Sequence, residues 1–420
     1  MEELEEKNKK LITIGIVLLC VILLCAGYYM YRVLFIRSEQ PTPENPSEVP
    51  KVETTDYNMK IIKEINENED KNYLISPYSI EMAFSMLRDG TDGRTREEIE
   101  NLIGNREINM LKVPGKVNVA NGVFINQKYK DDVLSSYYDI VKNKYKSEII
   151  YDEFKTPITI NNWVKKETYQ MIPKLFDRLS QEDLLVLVNA LAIDVEWKQG
   201  FDCKVTSQQE FTKKDGNKVD VAMMGKGYES DAKHFNTDDA TGVIIPYASY
   251  DGNGNKVDNG NGLEFIGILP NGDVKDYVNN LTNDKINEFD KEAIVASEDE
   301  KLIVDLPKFN YEYEINDLID SMKKLGIKKV FEEGADLSKM INIPSHVSEA
   351  VHKTYIEVDE NGTKAAAASG IRVTNDAAVP VEVVTFDKPF AYIIRDQKTK
   401  EMLFFGVVYE PNKWEGSTCK

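Results

Sequence analysis

The sequence predicts a single α+β domain built around a long central sheet, and three observations carry that prediction. The run "DLLVLVNALAIDVEW" (183–197) is long and almost wholly apolar, the pattern of a strand covered on both faces. The run "VNVANGVFI" (117–125) alternates with a period of two and reads as a second strand. Helical periodicity collects in the first half of the chain, whereas strands and turns dominate 201–270 and the last hundred residues. No internal repeat is visible, and 420 residues suffice for one large core.

The elements follow in order. Met59, Ile61, Ile62 and Ile65 place an amphipathic helix over 57–67. A second helix is expected from Ser79 to Leu87. A third is expected over 94–103, with Thr95 as its N-cap. Segments 132–145 and 158–170 also read as helices, as do 273–290 and 315–326. "DGNGNKVDNGNG" (251–262) is a hairpin tip or a flexible loop. It offers Asp251, Asn253 and Asn255 at calcium-loop spacing. Lys256 replaces the glycine such a loop needs, however, and Gly262 stands where its glutamate belongs.

Composition excludes several functions. The net charge of −19 opposes binding to nucleic acid or other polyanions. There are three histidines, His234, His346 and His352, and no HExxH, GxSxG or Walker A sequence. No catalytic residue, metal site or cofactor is therefore expected. Cys20, Cys25, Cys203 and Cys419 form no CxxC pair; a Cys203–Cys419 bridge is left open.

The N-terminus reads as three pieces: a charged flank (1–10), a membrane anchor (11–36) and a Pro- and acid-rich linker (37–56). Leu11 to Tyr31 carry no charge, and as helix they span about 31 Å, close to the hydrocarbon core of a bilayer. The expectation is a single-pass cell-membrane protein with its folded domain (57–412) outside; secretion after signal cleavage is the alternative. A short tail (413–420) closes the chain.

One segment fits no ordinary element. "DENGTKAAAASGIRVTNDAAVP" (359–380) contains four consecutive alanines, yet Gly362 and Gly370 bracket them. As a strand, one face reads Thr363, Ala365, Ala367, Ser369, Ile371, Val373. The other reads Lys364, Ala366, Ala368, Gly370, Arg372, Thr374 and carries both charges. Gly, Ala, Asn and Asp are poor strand residues, so the segment reads equally as loop.

"ENGTKAAAAS" resembles the reactive-loop hinge of serpins, the serine-protease-inhibitor fold. Further matches stand in the family's order: "NYLISPYSIEMAFSMLRDGTDGRT" (72–95), "LVNALAIDVEWKQGF" (187–201), "MM" (223–224), "LPKF" (306–309), "LGIKKVFEEGADLS" (325–338), "SEAVHKTYIEVDENGT" (348–363) and "FDKPFAYIIRDQKTKEMLFFGVVYEP" (386–411). The resemblance implies a single serpin domain with a large central sheet, additional sheets, surrounding helices and an exposed reactive-centre loop. It implies a monomer that inhibits serine proteases, with cysteine proteases as secondary targets. Cleavage of the loop would give a covalent acyl complex, and the loop would then insert into the sheet. A non-inhibitory binding protein is the alternative. Residue by residue, the resemblance assigns a hinge to Glu360, Gly362, Thr363, Lys364, Ala365, Ala366, Ala367, Ala368 and Ser369. It assigns a polar "shutter" to Ser76, Ser79, Asn189 and His352, and a "breach" to Trp197, Lys308 and Glu360. Counting from Gly362 sets the reactive bond at Asp376–Ala377, with Asn375, Arg372 and the neighbouring apolar residues as alternatives. Lys364 replaces the family's usual acidic residue. The chain between Ile103 and Val117 is shorter than the family norm, so a helix is expected to be missing there. With the negative charge, this speaks against a heparin-type cofactor.

Overall fold

A computed structural model describes residues 57–258, 262–363 and 380–416. The anchor and linker, the stretch Lys364–Val379 and Cys419 lie outside the described residues. Among those described, no helix is long and apolar enough to cross a membrane.

Helix α1 (Pro77–Asp89) starts earlier than its apolar period suggests. Ser76 caps it, accepting from the Ser79 amide at 3.1 Å, and proline at the first helical position costs no hydrogen bond. The next helix, Gly93–Ile103, is capped by Asp92 and not by Thr95. Thr95 is a turn further in, and its hydroxyl accepts from the Asp336 amide at 2.9 Å. No helix follows before Val117, as the short spacing implies. Arg106 instead ties this stretch down, pairing with Glu81 of α1 at 2.6 Å and Glu401 at 2.7 Å.

Strand β1 (Val117–Asn126) pairs in parallel with β2 (Glu148–Asp152). Helix α2 (Ile158–Glu167) lies over β1 and β3 (Leu185–Ile193), which pair antiparallel. The alternation of β3 serves two cores. Val188, Ala190 and Ala192 join a cluster with Trp163 and Val164 of α2, whereas Leu191 and Ile193 join the main core against α1. Both faces are therefore covered, as expected, more completely in the second half; Leu185 to Leu187 are half-buried, packed against the edges of the two cores. Asp194 interrupts the strand, and β4 (Val195–Glu196) continues it.

Strand β5 (Lys218–Tyr228) pairs with β6 (Lys301–Pro307) in a four-stranded sheet. β7 (Phe309–Glu314) pairs with β8 (Lys353–Val358), which meets a two-residue strand, β9 (Gly362–Thr363). β10 (Val381–Thr385) then adds to β6 in parallel. Behind these lies a seven-stranded sheet running through 73–75, 402–408, 390–396, 263–270, 240–246, 233–236 and 294–295. Its central strands are buried throughout. The turn between strands Ser249–Tyr250 and Lys256–Val257 caps itself: Asp251 accepts from the amides of Asn253 and Asn255 at 2.8 and 2.9 Å.

Candidate functional site

The central sheet is joined at one end only. β9 lies between β8 and β4, antiparallel to both: Thr363 faces Val358 on one side and Val195 on the other. Because β3 continues into β4, β3 and β8 run parallel to each other on either side of this position. Below it, no described strand lies between them. A cavity of about 570 Å³ opens there, with Leu184–Leu191 along one wall and Pro344–Thr354 along the other. Ile80, Phe84 and Leu87 of α1 line it, as do Val164, Ile172 and Phe176. The site is thus a slot one strand wide at its upper end, with apolar lining from both cores.

The residues that the resemblance assigns to breach and hinge meet at that upper end. Trp197 is fully buried and donates its Nε1–H to the Asp359 carbonyl at 2.9 Å. Its backbone N–H donates to the Asn361 carbonyl at 2.8 Å. Its ring stacks on Tyr247 at 4.5 Å. The Tyr247 hydroxyl lies 2.6 Å from Thr363 Oγ1, so the side chain of Thr363 points into the core, as the alternation predicts. Gly362 is required here, since a Cβ would sit 2.1 Å from the Val195 carbonyl oxygen. The base of the hinge is held by Glu360, which accepts from Lys308 Nζ and from the Thr206 hydroxyl, both at 2.8 Å. Burial alone would raise the Glu360 carboxyl; these two donors hold it below the ordinary carboxylate range.

The four residues that the resemblance assigns to a shutter, Ser76, Ser79, Asn189 and His352, all line the slot. His352 is buried and accepts from the Ser76 amide through Nε2 at 3.0 Å. That bond needs a neutral imidazole, and burial pushes the ring down to about 4. Asn189 donates to Asn121 Oδ1 at 2.9 Å, and Asn121 donates onward to the Tyr145 carbonyl at 2.8 Å. Asn189 Oδ1 is buried with no hydrogen-bond partner among the described residues.

The sequence assignments are therefore brought together where they fall on described residues. The remaining hinge residues (Lys364, Ala365, Ala366, Ala367, Ala368 and Ser369) and the bond Asp376–Ala377 lie outside them. Tyr247, Thr206 and Asn121 belong to the site but were not legible beforehand. One signal was available: Tyr247 follows the apolar run Val243–Ile245, where a buried tyrosine hydroxyl needs a partner. Cys203 is disulfide-bonded, and the other three cysteines lie outside the described residues. No group of acidic, histidine or cysteine side chains able to hold a metal occurs among the described residues.

A family profile described as "Serpin (serine protease inhibitor)" matches residues 53–411. Neuroserpin of Gallus gallus is 31% identical over 381 residues, covering 82% of this chain and 87% of its own. Serine proteinase inhibitor 2.4 of Apodemus sylvaticus is 30% identical over 386 residues, covering 85% and 88%. Among solved structures, the native state of the thermophilic serpin Tengpin matches with a TM-score of 0.71 at 29% identity. The match covers 84% of this chain and 92% of that one.

Proposed function

We propose, from the premise that this chain belongs to the serpin family, that it inhibits serine endopeptidases by suicide-substrate trapping. It is not an enzyme; the loop is offered as a substrate. A protease serine attacks the scissile carbonyl at Asp376–Ala377, releases the new amine and remains as an acyl-enzyme. The freed loop then enters the slot as a new strand and carries the protease with it, a use of strand insertion known for this fold.

The observation that supports this reading most strongly is the slot itself, with its entering strand already seated at the top. Continued without slip, the register Thr363↔Val195 would set Ala367 opposite Leu191 and Val373 opposite Leu185. Thr363, Ala365, Ala367, Ser369, Ile371 and Val373 would then face the main core. Ser369 would come opposite Asn189, whose Oδ1 lacks a donor. Lys364 would come opposite Asp194, an opposite-charge cross-strand pair that explains why a lysine is tolerated there. No charge enters the main-core face.

The experiment is incubation with a panel of serine and cysteine proteases. The reading expects an SDS-stable complex heavier than either partner, at near-equimolar stoichiometry. Cleavage with no complex would replace it with the non-inhibitory reading. The Leu11–Tyr31 run supports a further part of the proposal, a single-pass tether with the domain outside the cell. Full-length protein should then resist alkaline extraction from membranes, and release into the supernatant would remove the tether.

A further inference from the structure

We infer that the disulfide of Cys203 is closed by Cys419, and that this bond is a covalent brace on the base of the hinge, opened by dithiol reductants. The pairing stands apart from the inhibitory reading above. Cys203 is disulfide-bonded, and the other three cysteines of the chain lie outside the described residues. Cys20 and Cys25 fall in the Leu11–Tyr31 run, which the tether reading gives to hydrocarbon. Cys419 follows a tail that is already fastened to the strand Cys203 lies beside. Beyond Pro307, where β6 leaves it, the edge of β5 is taken over by the end of the chain. Lys413 bridges Val221, and the Trp414 amide donates to the Asp220 carbonyl at 2.9 Å. Farther along the same strand lies the turn that carries Cys203, Asp202–Val205. It is closed by the Val205 amide on the Asp202 carbonyl at 2.8 Å, and Val205 lies against Gly225 of β5. Asp220 and Gly225 are five residues apart, about 17 Å of strand. The five residues from Trp414 to Cys419 also span up to about 17 Å. A disulfide adds about 5.5 Å between its Cα atoms, so the bond is within reach.

What the bond joins is the base of the hinge. Two holds on Glu360 flank the turn of Cys203: the Phe201 amide donates to its carbonyl and the Thr206 hydroxyl to its carboxylate, both at 2.8 Å. The tail holds Lys308, whose ammonium is the other donor to that carboxylate. The Asn412 amide donates to the Lys308 carbonyl at 3.2 Å, and the Asn412 side chain accepts from the Asn310 amide at 2.9 Å. Two segments far apart in the chain therefore grip the two halves of one ion pair, and a Cys203–Cys419 bond ties the grips together. Such a bond persists in an oxidising compartment. A dithiol opens it by thiol–disulfide exchange: the dithiol gives up two electrons and two protons and closes to its own disulfide, leaving two free thiols on the protein.

The test is tryptic peptide mapping of the alkylated, unreduced full chain by mass spectrometry, followed by hydrogen exchange. The expected product is peptide 199–204 cross-linked to peptide 414–420, and it should disappear after dithiothreitol. A link from 199–204 to a peptide carrying Cys20 or Cys25 would overturn the pairing. So would a free Cys203 thiol, or a dimer on a non-reducing gel that dithiothreitol collapses. The brace is read at the Trp197 and Phe201 amides, which the Asn361 and Glu360 carbonyls accept from. In Cys419→Ser, and in wild type reduced with dithiothreitol, their exchange should speed about tenfold or more, and by more than that of the Tyr392 and Ile393 amides in the seven-stranded sheet. No change at Trp197 and Phe201, or the same gain at all four, would overturn the brace. None of these outcomes depends on whether the chain traps a protease.

Discussion

At the scale of single residues, the site depends on groups whose chemistry is fixed by burial. His352 is the clearest. Its ring titrates near 6.5 when unfolded and near 4 when folded, because the folded ring is buried and cannot readily charge. A depressed folded value means the unfolded chain takes up the proton first as pH falls. Stability from this group is complete above about pH 6.5 and is lost progressively down to about pH 4. Between pH 7 and pH 5 the loss should be about 2 kcal/mol. Denaturant titrations of the wild type and of His352→Gln at the two pH values check this. The wild type should lose about that much more than the variant, and parallel losses would contradict it. Glu360 acts in the same sense: its paired carboxylate is also lost on acidification, below the ordinary carboxylate range. Such pairings were only partly legible in the sequence. The grouping of Lys308 with Glu360 followed from the family resemblance. Thr206 did not, since a surface-loop threonine carries no mark of the partner it will meet 154 residues away.

On the proposed mechanism the entering strand is the element on which function turns, and only its first two residues, Gly362 and Thr363, are described as strand. They pair on both edges, so the seat is specific in register. Side-chain alternation then decides which later residues face the core. Thr363→Arg tests that seat. It would press a charge against Tyr247 and the Trp197 stack, an uncompensated burial. Most of the reaction should then yield cleaved protein in place of complex, a change read directly by densitometry of the gel. An unchanged complex yield would show that the face assignment is wrong. Element boundaries show what local sequence can and cannot say. The apolar period placed α1 correctly but missed its first turn, because Pro77 and the Ser76 cap contribute no periodicity. The choice of Asp92 over Thr95 was decided by Asp336, which occupies the threonine hydroxyl from 241 residues away.

For the molecule as a whole, the α+β class and the central strand were legible because burial on two faces writes a continuous apolar run. The slot was not legible from that run. Leu185 to Leu187 read as core residues, yet in the fold they border an opening. Nothing in their side chains distinguishes a strand with a neighbour from one that awaits it; only the alternating small residues of 363–373 hinted at a missing partner. A sheet that can accept one more strand is unfinished, and finishing it should stabilise the molecule. Ten further residues in a central position would add at least ten ladder hydrogen bonds at roughly 1 kcal/mol each. On a domain of about 360 residues, that corresponds to about 13 °C or more in melting temperature. The decisive measurement is therefore a calorimetric comparison of intact protein with protein nicked once between Lys364 and Val379. A rise of about 13 °C or more on cleavage is predicted. A nicked molecule that melts at or below the intact one would contradict the insertion mechanism.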